Sequence, residues 1–321
     1  MNRRCRIYRP AVREVTISAM SSPQTFEVLN SRFAVPGVVR FEQTPSGLVR
    51  IVVAAASGEA AIYLHGAHVS HYRPRGQAPL LFMSARSMME PGRPIRGGVP
   101  VCFPWFGPRA GDPAAPLHGF ARIRTWMLES VTSAPDGAVH VVMSLRDSPE
   151  TRQIWPHAFA LTFRVHVGSA LAMTLEVSNP SGQPFVFEEA LHTYFAVGDA
   201  RKVTIAGLEG ATYIDKTDGM KRKQQDGPVT IAAETDRVYV NTPATCVIDD
   251  PVLARRIIVE KAGSNTTTVW NPWVAKARAM PDFGDDEWTG MVCVETANAA
   301  ENALTLAPGA SHAMTQRIRV E

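Results

Sequence analysis

The stretch FALTFRVHVGSALAMTLEVS, residues 159–178, decides the fold class. In residues 159–167, apolar side chains alternate with small, polar or charged ones, which is the period-two pattern of a half-buried strand. Residues 171–178 repeat the alternation, and the short connector Gly168-Ser169-Ala170 joins the two runs. We therefore predict a β-hairpin with one face directed to a core.

Short strand-like patterns recur along the chain from about Phe33 onward. With 24 prolines and 23 glycines between them and no alternating helices of ordinary length, they favour an antiparallel β-sandwich or barrel over a βαβ fold. Only short helices are expected, near Asp250–Arg255 or at 281–288. The further predicted strands are 47–55, 59–64, 139–145, 185–197, 203–206, 229–232, 237–240, 245–249, 255–260, 266–270, 291–296, 303–306 and 312–320.

Composition and charge narrow the class of protein. The basic pI of 8.7 has a local source, because five arginines lie among residues 1–19 against a single acid, Glu14, while the whole chain carries +3. No basic patch with interleaved aromatics remains to indicate nucleic-acid binding. No apolar run reaches the roughly 18 residues that a membrane-spanning helix needs. We therefore expect neither a nucleic-acid nor a membrane partner.

The Arg-rich leader is expected to lie outside the fold. Residues 1–22 are interpreted as a disordered tail or as the product of a start codon upstream of the proper one at Met20; a transit peptide is the alternative. Because no linker rich in Pro, Gly or Ser divides the remainder, residues 23–321 are expected to form one β domain. The four cysteines show no C-x-x-C pair, which indicates a reducing compartment, and we expect the cytoplasm.

The segment from Pro94 to Trp126, PIRGGVPVCFPWFGPRAGDPAAPLHGFARIRTW, has no helical or strand period. It is nevertheless too apolar for a solvated loop, so we expect it to run against a core or a ligand. Arg96, His118 and Arg122 would line that path. Two guanidinium groups in a pocket indicate an anionic ligand, although ordinary ion pairing with acids explains them equally well. His118 on its own fits a pocket or a packed core.

Two further strands place titratable groups among apolar neighbours. Strict alternation over 185–197 puts Glu188, His192 and Tyr194 on one face, and alternation over 291–296 puts Glu295 on a face with Cys293. A buried carboxyl group and a histidine could act as an acid and base pair, because burial raises the pKa of the carboxyl group and an unperturbed histidine titrates near neutrality. A structural histidine and an ion-paired acid explain the pattern as well.

Cofactor and metal motifs are weak. The run His65-Gly66-Ala67-His68-Val69-Ser70-His71 has a spacing of three, which shares a face on a helix but not on a strand, and Gly66 disfavours the helix. There is no phosphate-binding loop with its lysine and no G-x-S-x-G elbow. We expect no cofactor and no metal.

Six blocks of sequence together resemble a known family. In this order they are similar to the hexose-6-phosphate 1-epimerases, mutarotases within the galactose-mutarotase-like superfamily, over nearly the whole chain from about residue 33. The blocks are RGGVPVCFPWFG (96–107), LHGFAR (117–122) with Trp126, EEALHTYF (188–195), YIDK (213–216), VWNPW (269–273) and DFGDDEWTGMVCVETA (282–297).

The resemblance implies an all-β fold, a large antiparallel β-sandwich that binds a sugar across one concave sheet face. It implies that His192 is the general acid and Glu295 the general base for opening the hemiacetal ring of a hexose 6-phosphate, with D-glucose 6-phosphate favoured. Arg96 and Arg122 would hold the substrate and its phosphate, Asp215 would bind sugar hydroxyls, and His118 would lie beside the site. Arg93, Arg124 and Lys216 are candidates for a third phosphate contact. The expected assembly is a monomer or weak homodimer.

Three other functions remain open at the level of sequence. A carbohydrate-binding β-sandwich without activity would keep Arg96, Trp105 and Asp215 but would not need His192 and Glu295 together. A mutarotase for free aldoses would not need two arginines in its pocket. A scaffold with a vestigial site would have no use for an intact acid and base.

Overall fold

The computed structural model describes residues 24–321. The basic leader predicted at 1–22 lies outside the described residues. Within the described part, no helix is long and apolar enough to cross a membrane.

The described chain is built mainly of short strands, as the sequence predicts. The strands are β1 (Val39–Gln43), β2 (Val49–Ala55), β3 (Gly58–Tyr63), β4 (His68–Pro74), β5 (Val101–Cys102), β6 (Met127–Ser133), β7 (Val139–Arg146), β8 (Ala160–Val167), β9 (Leu171–Ser178), β10 (Phe185–Phe187), β11 (Glu189–Leu191), β12 (Tyr194–Ala196), β13 (Thr204–Ala206), β14 (Thr212–Asp215), β15 (Lys221–Gln224), β16 (Val229–Thr230), β17 (Thr235–Tyr239), β18 (Cys246–Asp250), β19 (Arg255–Ala262), β20 (Thr266–Asn271), β21 (Met291–Asn298), β22 (Leu304–Leu306) and β23 (Ser311–Val320).

Two large sheets make up the sandwich. One has nine strands in the order β16-β13-β18-β19-β23-β9-β8-β7-β6, and the other has eight, in the order β15-β14-β17-β20-β21-β11-β5 with β12 also paired to β21. A four-stranded sheet, β1-β2-β3-β4, and the pair β10-β22 complete the fold. The strands named here pair antiparallel throughout, so the predicted all-β antiparallel sandwich is confirmed.

The core lies between the two large sheets. The predicted hairpin is β8 and β9, paired from Ala160↔Ser178 to Val167↔Leu171. Its inward side chains, such as Phe163 and Leu175, share one buried cluster with Val292 and Val294 of the eight-stranded sheet. A hydrogen bond of 2.6 Å from Thr193 Oγ1 to Gln316 Oε1 also joins the layers. Because alternate residues of β21 fill this core, the others face outward, on the far side of the eight-stranded sheet.

The helices differ from the prediction. The α-helices are α1 (Phe26–Phe33), α2 (Pro149–Ile154) and α3 (Trp273–Ala279), and the 3₁₀ helices are Ala121–Ile123, Glu287–Gly290 and Ala300–Asn302. None of the three α-helices was predicted from the sequence. Thr25 and Ser148 cap α1 and α2 through hydrogen bonds from backbone N–H groups. Short capped helices of this kind carry too few residues for a clear 3.6-residue period.

Three of the predicted elements are wrong in detail. The helix expected at Asp250–Arg255 is the turn between β18 and β19, because Asp250 Oδ1 accepts the N–H groups of Val252 and Leu253. The helix expected at 281–288 is reduced to the 3₁₀ turn at Glu287–Gly290. The strand expected at 185–197 is broken into β10, β11 and β12.

Candidate active site

The outward face of the eight-stranded sheet carries the functional groups. Strand registers align Cys293 of β21 with Trp270 of β20, and Trp270 with Asp236 of β17. Glu295 follows Cys293 by two residues, so it lies on this same face, and its side chain is 1% exposed. The alternation predicted for 291–296 is thus confirmed.

His192 enters this face at the break between β11 and β12. Its N–H donates to Pro100 O at 3.0 Å, and Tyr194 N–H donates to Gly98 O at 2.9 Å, so the loop after Arg96 takes the place of a strand partner. The loop passes very close to β4, because a Cβ on Gly98 would lie 2.4 Å from Val69 O. Glycine is required there for the backbone to approach this closely.

His192 and Glu295 form a buried pair. His192 Nε2 lies 3.4 Å from Glu295 Oε1, and the His192 side chain is 9% exposed. This distance is long for a hydrogen bond, as catalytic contacts often are before substrate binds. Within the described chain, His192 Nδ1 and Glu295 Oε2 have no hydrogen-bond partner. Two unsatisfied buried polar atoms in one pair are unusual and indicate a ligand-binding or catalytic place.

Aromatic side chains fix the orientation of the His192 ring. Tyr194 stacks on it with ring centroids 4.9 Å apart and planes 13° apart, and Trp270 meets it edge-on at 6.1 Å. His118 presents its edge at 5.3 Å. These contacts leave the imidazole little freedom to rotate away from Glu295.

His118 is held by an unusual backbone conformation. Its φ is +59°, a left-handed value that is rare for a residue other than glycine and that often marks functional sites. The next residue must be glycine, because a Cβ on Gly119 would lie 2.0 Å from Phe103 O. Gly107 N–H donates to His118 Nδ1 at 3.1 Å. A neutral His118 ring therefore carries its proton on Nε2.

Arg96 reaches the cluster through two partners. Its Nε and Nη2 bond to Asp282 Oδ2 at 3.1 and 3.0 Å, and its Nη1 donates to Tyr194 Oη at 3.0 Å. Arg96 therefore forms the ordinary ion pair with an acid that was the alternative to anion binding, and it also contacts Tyr194. Because Tyr194 stacks on His192, the same contacts connect the guanidinium group to the His192 ring.

Arg122 is a buried cation without an acidic partner in the described part of the chain. It is 8% exposed, and its Nη2 donates to Leu117 O at 2.7 Å. Its Nε has no hydrogen-bond partner, and no ion pair to Arg122 occurs, among residues 24–321. Burial lowers the pKa of this guanidinium, yet arginine remains charged in proteins. An uncompensated buried charge costs several kcal/mol, which a bound anion would offset.

Lys216 and Asp236 add a second charged pair, whereas Asp215 does not join them. Lys216 Nζ lies 3.0 Å from Asp236 Oδ2. Asp215 pairs in register with Arg237, one residue out of step with Asp236, and so faces the other side of the sheet. There its carboxylate accepts from Thr217 and Lys223. The structure thus does not bring Asp215, expected to bind sugar hydroxyls, into the cluster.

Burial and nearby charges shift the pKa values of His192 and Glu295 in opposite directions. Burial lowers the pKa of His192 well below its usual value, and the charges of Arg122 and Arg96 lower it further. Burial raises the pKa of Glu295 well above its usual value, and Asp236 raises it further, while Lys216 and Arg122 oppose this. In the free site, both shifts favour the uncharged forms of the pair, a neutral His192 ring and a protonated Glu295 carboxyl group. Titratable groups shifted in opposite directions are typical of acid and base catalysis.

A metal ion has one candidate place within the described residues. Single donor atoms of His192, Cys293 and Glu295 lie within 4.8 Å of one another. The histidine run predicted not to bind metal is spread out: His65 Nε2 contacts Arg93 O at 2.7 Å, and His71 Nε2 contacts Glu59 Oε1 at 3.3 Å. That the site works without metal or cofactor stays a prediction.

Most of the site residues expected from the sequence lie in one place. Arg96, His118, Arg122, His192 and Glu295 surround the outward face. Trp270, Asp236 and Asp282 were not predicted as site residues, because local spacing in the sequence does not show which strands and loops lie side by side.

Glu188 was predicted to share a strand face with His192, but its side chain binds backbone N–H groups of two other segments. Its two carboxylate oxygens accept the N–H groups of Phe106 and Ala300 at 2.8 and 2.7 Å. These bonds anchor the loop that carries Phe106, whose ring packs edge-on against His118 at 4.8 Å. Glu188 thus helps to hold the loop that positions His118.

Comparisons with known proteins agree with this geometry. The family model described as aldose 1-epimerase matches residues 50–319. A protein of Escherichia coli K12 named "Putative glucose-6-phosphate 1-epimerase" is 40% identical over 84% of this chain and 90% of its own. One of the same name from Cenchrus ciliaris is 37% identical over 83% of each chain. A crystal structure titled as a putative mutarotase from Salmonella typhimurium superposes with a TM-score of 0.84 at 36% identity, covering 90% of this chain and 95% of that one.

Proposed function

The chain belongs to the aldose 1-epimerase family, and we propose that it interconverts the α and β anomers of a hexose 6-phosphate, with D-glucose 6-phosphate preferred. The observation that carries the proposal is the buried pair of His192 and Glu295 with the guanidinium groups of Arg96 and Arg122 beside it. The names of the relatives from Escherichia coli and Cenchrus ciliaris support the choice of glucose 6-phosphate.

The cations support a phosphorylated substrate. Guanidinium groups match phosphate oxygens in a two-pronged geometry, and Arg122 has donors free of any acidic partner within the described chain. Arg96 offers a second guanidinium beside the catalytic ring, and Lys216 is the candidate for a third contact. A free aldose would leave Arg122 uncompensated, because neutral hydroxyl groups do not offset a buried charge.

The reaction is a pair of proton transfers. Glu295 as carboxylate takes the proton from the anomeric O1 hydroxyl, while His192 as imidazolium protonates the ring oxygen O5. The C1–O5 bond then breaks and leaves the aldehyde. Rotation about C1–C2 and the reverse transfers close the ring on the other face, so each group acts in turn as acid and base. Each transfer typically contributes about 10²- to 10⁴-fold.

Other groups on the outward face orient the sugar. We assign to Asp236 the hydroxyl-binding role that the family resemblance implied for Asp215, because Asp236 shares the face of Cys293 and Glu295. Trp270 offers an apolar surface to a sugar ring, and His118 can donate from Nε2. These residues would hold C1 and O5 next to the pair, where correct positioning supplies much of the rate.

We also propose where the protein is located and how it assembles. We place the protein in the cytoplasm as a monomer or weak homodimer, and the free thiols of Cys102, Cys246 and Cys293 support a reducing compartment. Neither nucleic acid nor a membrane is part of the proposed function.

Saturation-transfer NMR between the two anomeric C1 protons tests the substrate. Wild-type protein should accelerate exchange in glucose 6-phosphate at least tenfold more than in free glucose at equal concentration, with galactose 6-phosphate and mannose 6-phosphate compared alongside. Equal acceleration of free glucose would assign the enzyme to unphosphorylated aldoses. No acceleration of any sugar would refute the catalytic function.

A further inference from the structure

The charges around the catalytic pair are distributed unevenly. The titratable or charged groups that face it are Arg96 from the loop before β5, Cys102 of β5, His118 and Arg122 from the loop before β6, Tyr194 of β12, Lys216 after β14, Asp236 of β17, and Cys293 of β21. These groups include both cations and anions. Their positions relative to His192 and Glu295 therefore determine which member of the pair holds a proton.

The arginines lie on the His192 side. Arg96 is connected to the ring through Tyr194, by a 3.0 Å hydrogen bond and a 4.9 Å stacking contact. Arg122 has the largest effect among the charges that act on His192, whereas its effect on Glu295 is smaller than those of Asp236 and Lys216. On the Glu295 side, by contrast, Asp236 is paired with Lys216 at 3.0 Å. Arg122 and Arg96 thus oppose a positive charge on His192 more than Lys216 does, and of the two arginines only Arg96 has a carboxylate partner in the described chain.

This distribution of charge disfavours the protonation states that the proposed reaction needs. Ring opening requires the proton on His192 and a bare carboxylate on Glu295. Arg96 and Arg122 favour the opposite distribution as long as nothing neutralises them. The charge that can do so is the anionic group of the substrate itself, which the proposed function places against the same two arginines.

We infer that the phosphate of the substrate, held by Arg96 and Arg122, moves the single proton of the catalytic pair from Glu295 to His192. The inference rests on the proposed function and deepens it: the phosphate contributes to substrate binding and also determines which member of the acid and base pair holds the proton. The proton leaves Glu295 Oε1 and arrives at His192 Nε2, 3.4 Å away, so the pair holds one proton before and after.

Specificity for phosphorylated sugars then arises in the chemical step. Free glucose can occupy the outward face, but it meets neutral His192 and protonated Glu295, the wrong distribution for opening the ring. Phosphate bound alone at the arginines should correct that distribution for a separate glucose molecule. A phosphate that served only for binding would change KM and leave kcat the same.

The first test measures exchange of free glucose with and without inorganic phosphate. At pH 7.5 and constant ionic strength set with chloride, inorganic phosphate should raise the kcat for free glucose at least tenfold. The Arg122→Met variant should lose most of this response, whereas Arg164→Gln, an exposed arginine paired with Glu176, should keep it. An equal kcat for free glucose and glucose 6-phosphate, or no response to phosphate in wild type, would overturn the inference.

The second test observes the proton directly. The ¹⁵N shifts of the His192 ring, assigned by their absence in His192→Gln, report its protonation during a pH titration. Saturating inorganic phosphate should raise the apparent pKa of His192 by at least about one unit, as expected for a charge within several ångströms in a partly desolvated site. A titration that phosphate leaves unchanged overturns the inference even if glucose 6-phosphate is turned over rapidly. Absence of turnover with glucose 6-phosphate would instead refute the proposed function.

Discussion

Replacing Arg122 by methionine should stabilise the protein while it removes most of its activity. The two effects have one cause, the burial of a cation that no carboxylate of the described chain compensates. Methionine fills similar space with a flexible apolar chain, so the cavity left behind is small. Opposite changes in stability and function are the sign of a residue kept for its ligand.

The stability change follows from two terms. The hydrogen bond from Arg122 to Leu117 O at 2.7 Å is lost, which costs about 1 kcal/mol. Leu117 is 51% exposed, so water can take over at its carbonyl. Removing a buried unpaired charge returns several kcal/mol. We expect a net gain of about 1–3 kcal/mol in the free energy of unfolding, and each kcal/mol raises Tm by about 2–4 °C in domains of 150–250 residues.

The loss of activity is larger. Hydrogen bonds between charged groups contribute about 1.5–3 kcal/mol each, and a two-pronged contact to phosphate contains two. We therefore expect kcat/KM for glucose 6-phosphate to fall at least about 10²-fold, at about 1.4 kcal/mol for each factor of ten. Thermal unfolding with and without inorganic phosphate, together with NMR exchange rates, measures both effects. A variant that is less stable than wild type but turns over glucose 6-phosphate normally would show that Arg122 is structural.

Three smaller predictions concern other parts of the structure. Tyr194→Phe keeps the stacked ring but loses the 3.0 Å bond to Arg96, so kcat/KM should fall about fivefold for a hydrogen bond of about 1 kcal/mol; unchanged kinetics would contradict the contact. Zn²⁺ should inhibit exchange through the three converging donor atoms, a chelator should leave activity unchanged, and Cys293→Ser should weaken inhibition at least tenfold; equal inhibition of both proteins would exclude that site. The Glu189 carboxylate, 3.2 Å from His312, raises the pKa of His312 above 6.5, while burial raises the pKa of Glu189; the pair therefore stabilises the fold below pH 6.5 as long as Glu189 is ionised, and less as pH rises through the raised value of His312. Urea unfolding of wild type and His312→Gln should therefore differ most near pH 6, and a difference that grows toward pH 9 would contradict the pairing.

The sheet framework could be predicted from the sequence where one face of a strand is buried. The hairpin of β8 and β9 was found with its ends nearly correct, because its alternation is regular and its inward side chains are fully buried. Strands 185–197 were merged into one because apolar and polar residues continue to alternate across Glu188 and His192. The chain breaks there since the loop after Arg96 takes the backbone hydrogen bonds of His192 and Tyr194. Only the tertiary structure brings that loop to the strand.

In the site, too, local alternation could be predicted from the sequence, whereas contacts between distant segments could not. Glu295 and Cys293 could be placed on one face from local alternation, and the resemblance to a family supplied roles for His192 and the arginines. Asp215 and Asp236 illustrate what was out of reach. Both are acids on neighbouring strands, and only the register, Asp215 opposite Arg237, reveals that they face opposite sides of the sheet.

Exchange of glucose 6-phosphate anomers by matched glutamine variants tests the central claim most directly. Glu295→Gln and His192→Gln remove the two proton carriers, and Glu189→Gln alters another buried carboxyl group, on the core side of the same sheet. We predict that the first two lose at least about 10²-fold of the wild-type acceleration, within the range of one proton transfer. Glu189→Gln, if folded as judged by circular dichroism, should keep the wild-type rate. Rapid exchange in either Glu295→Gln or His192→Gln would contradict the assignment of this pair as the acid and base.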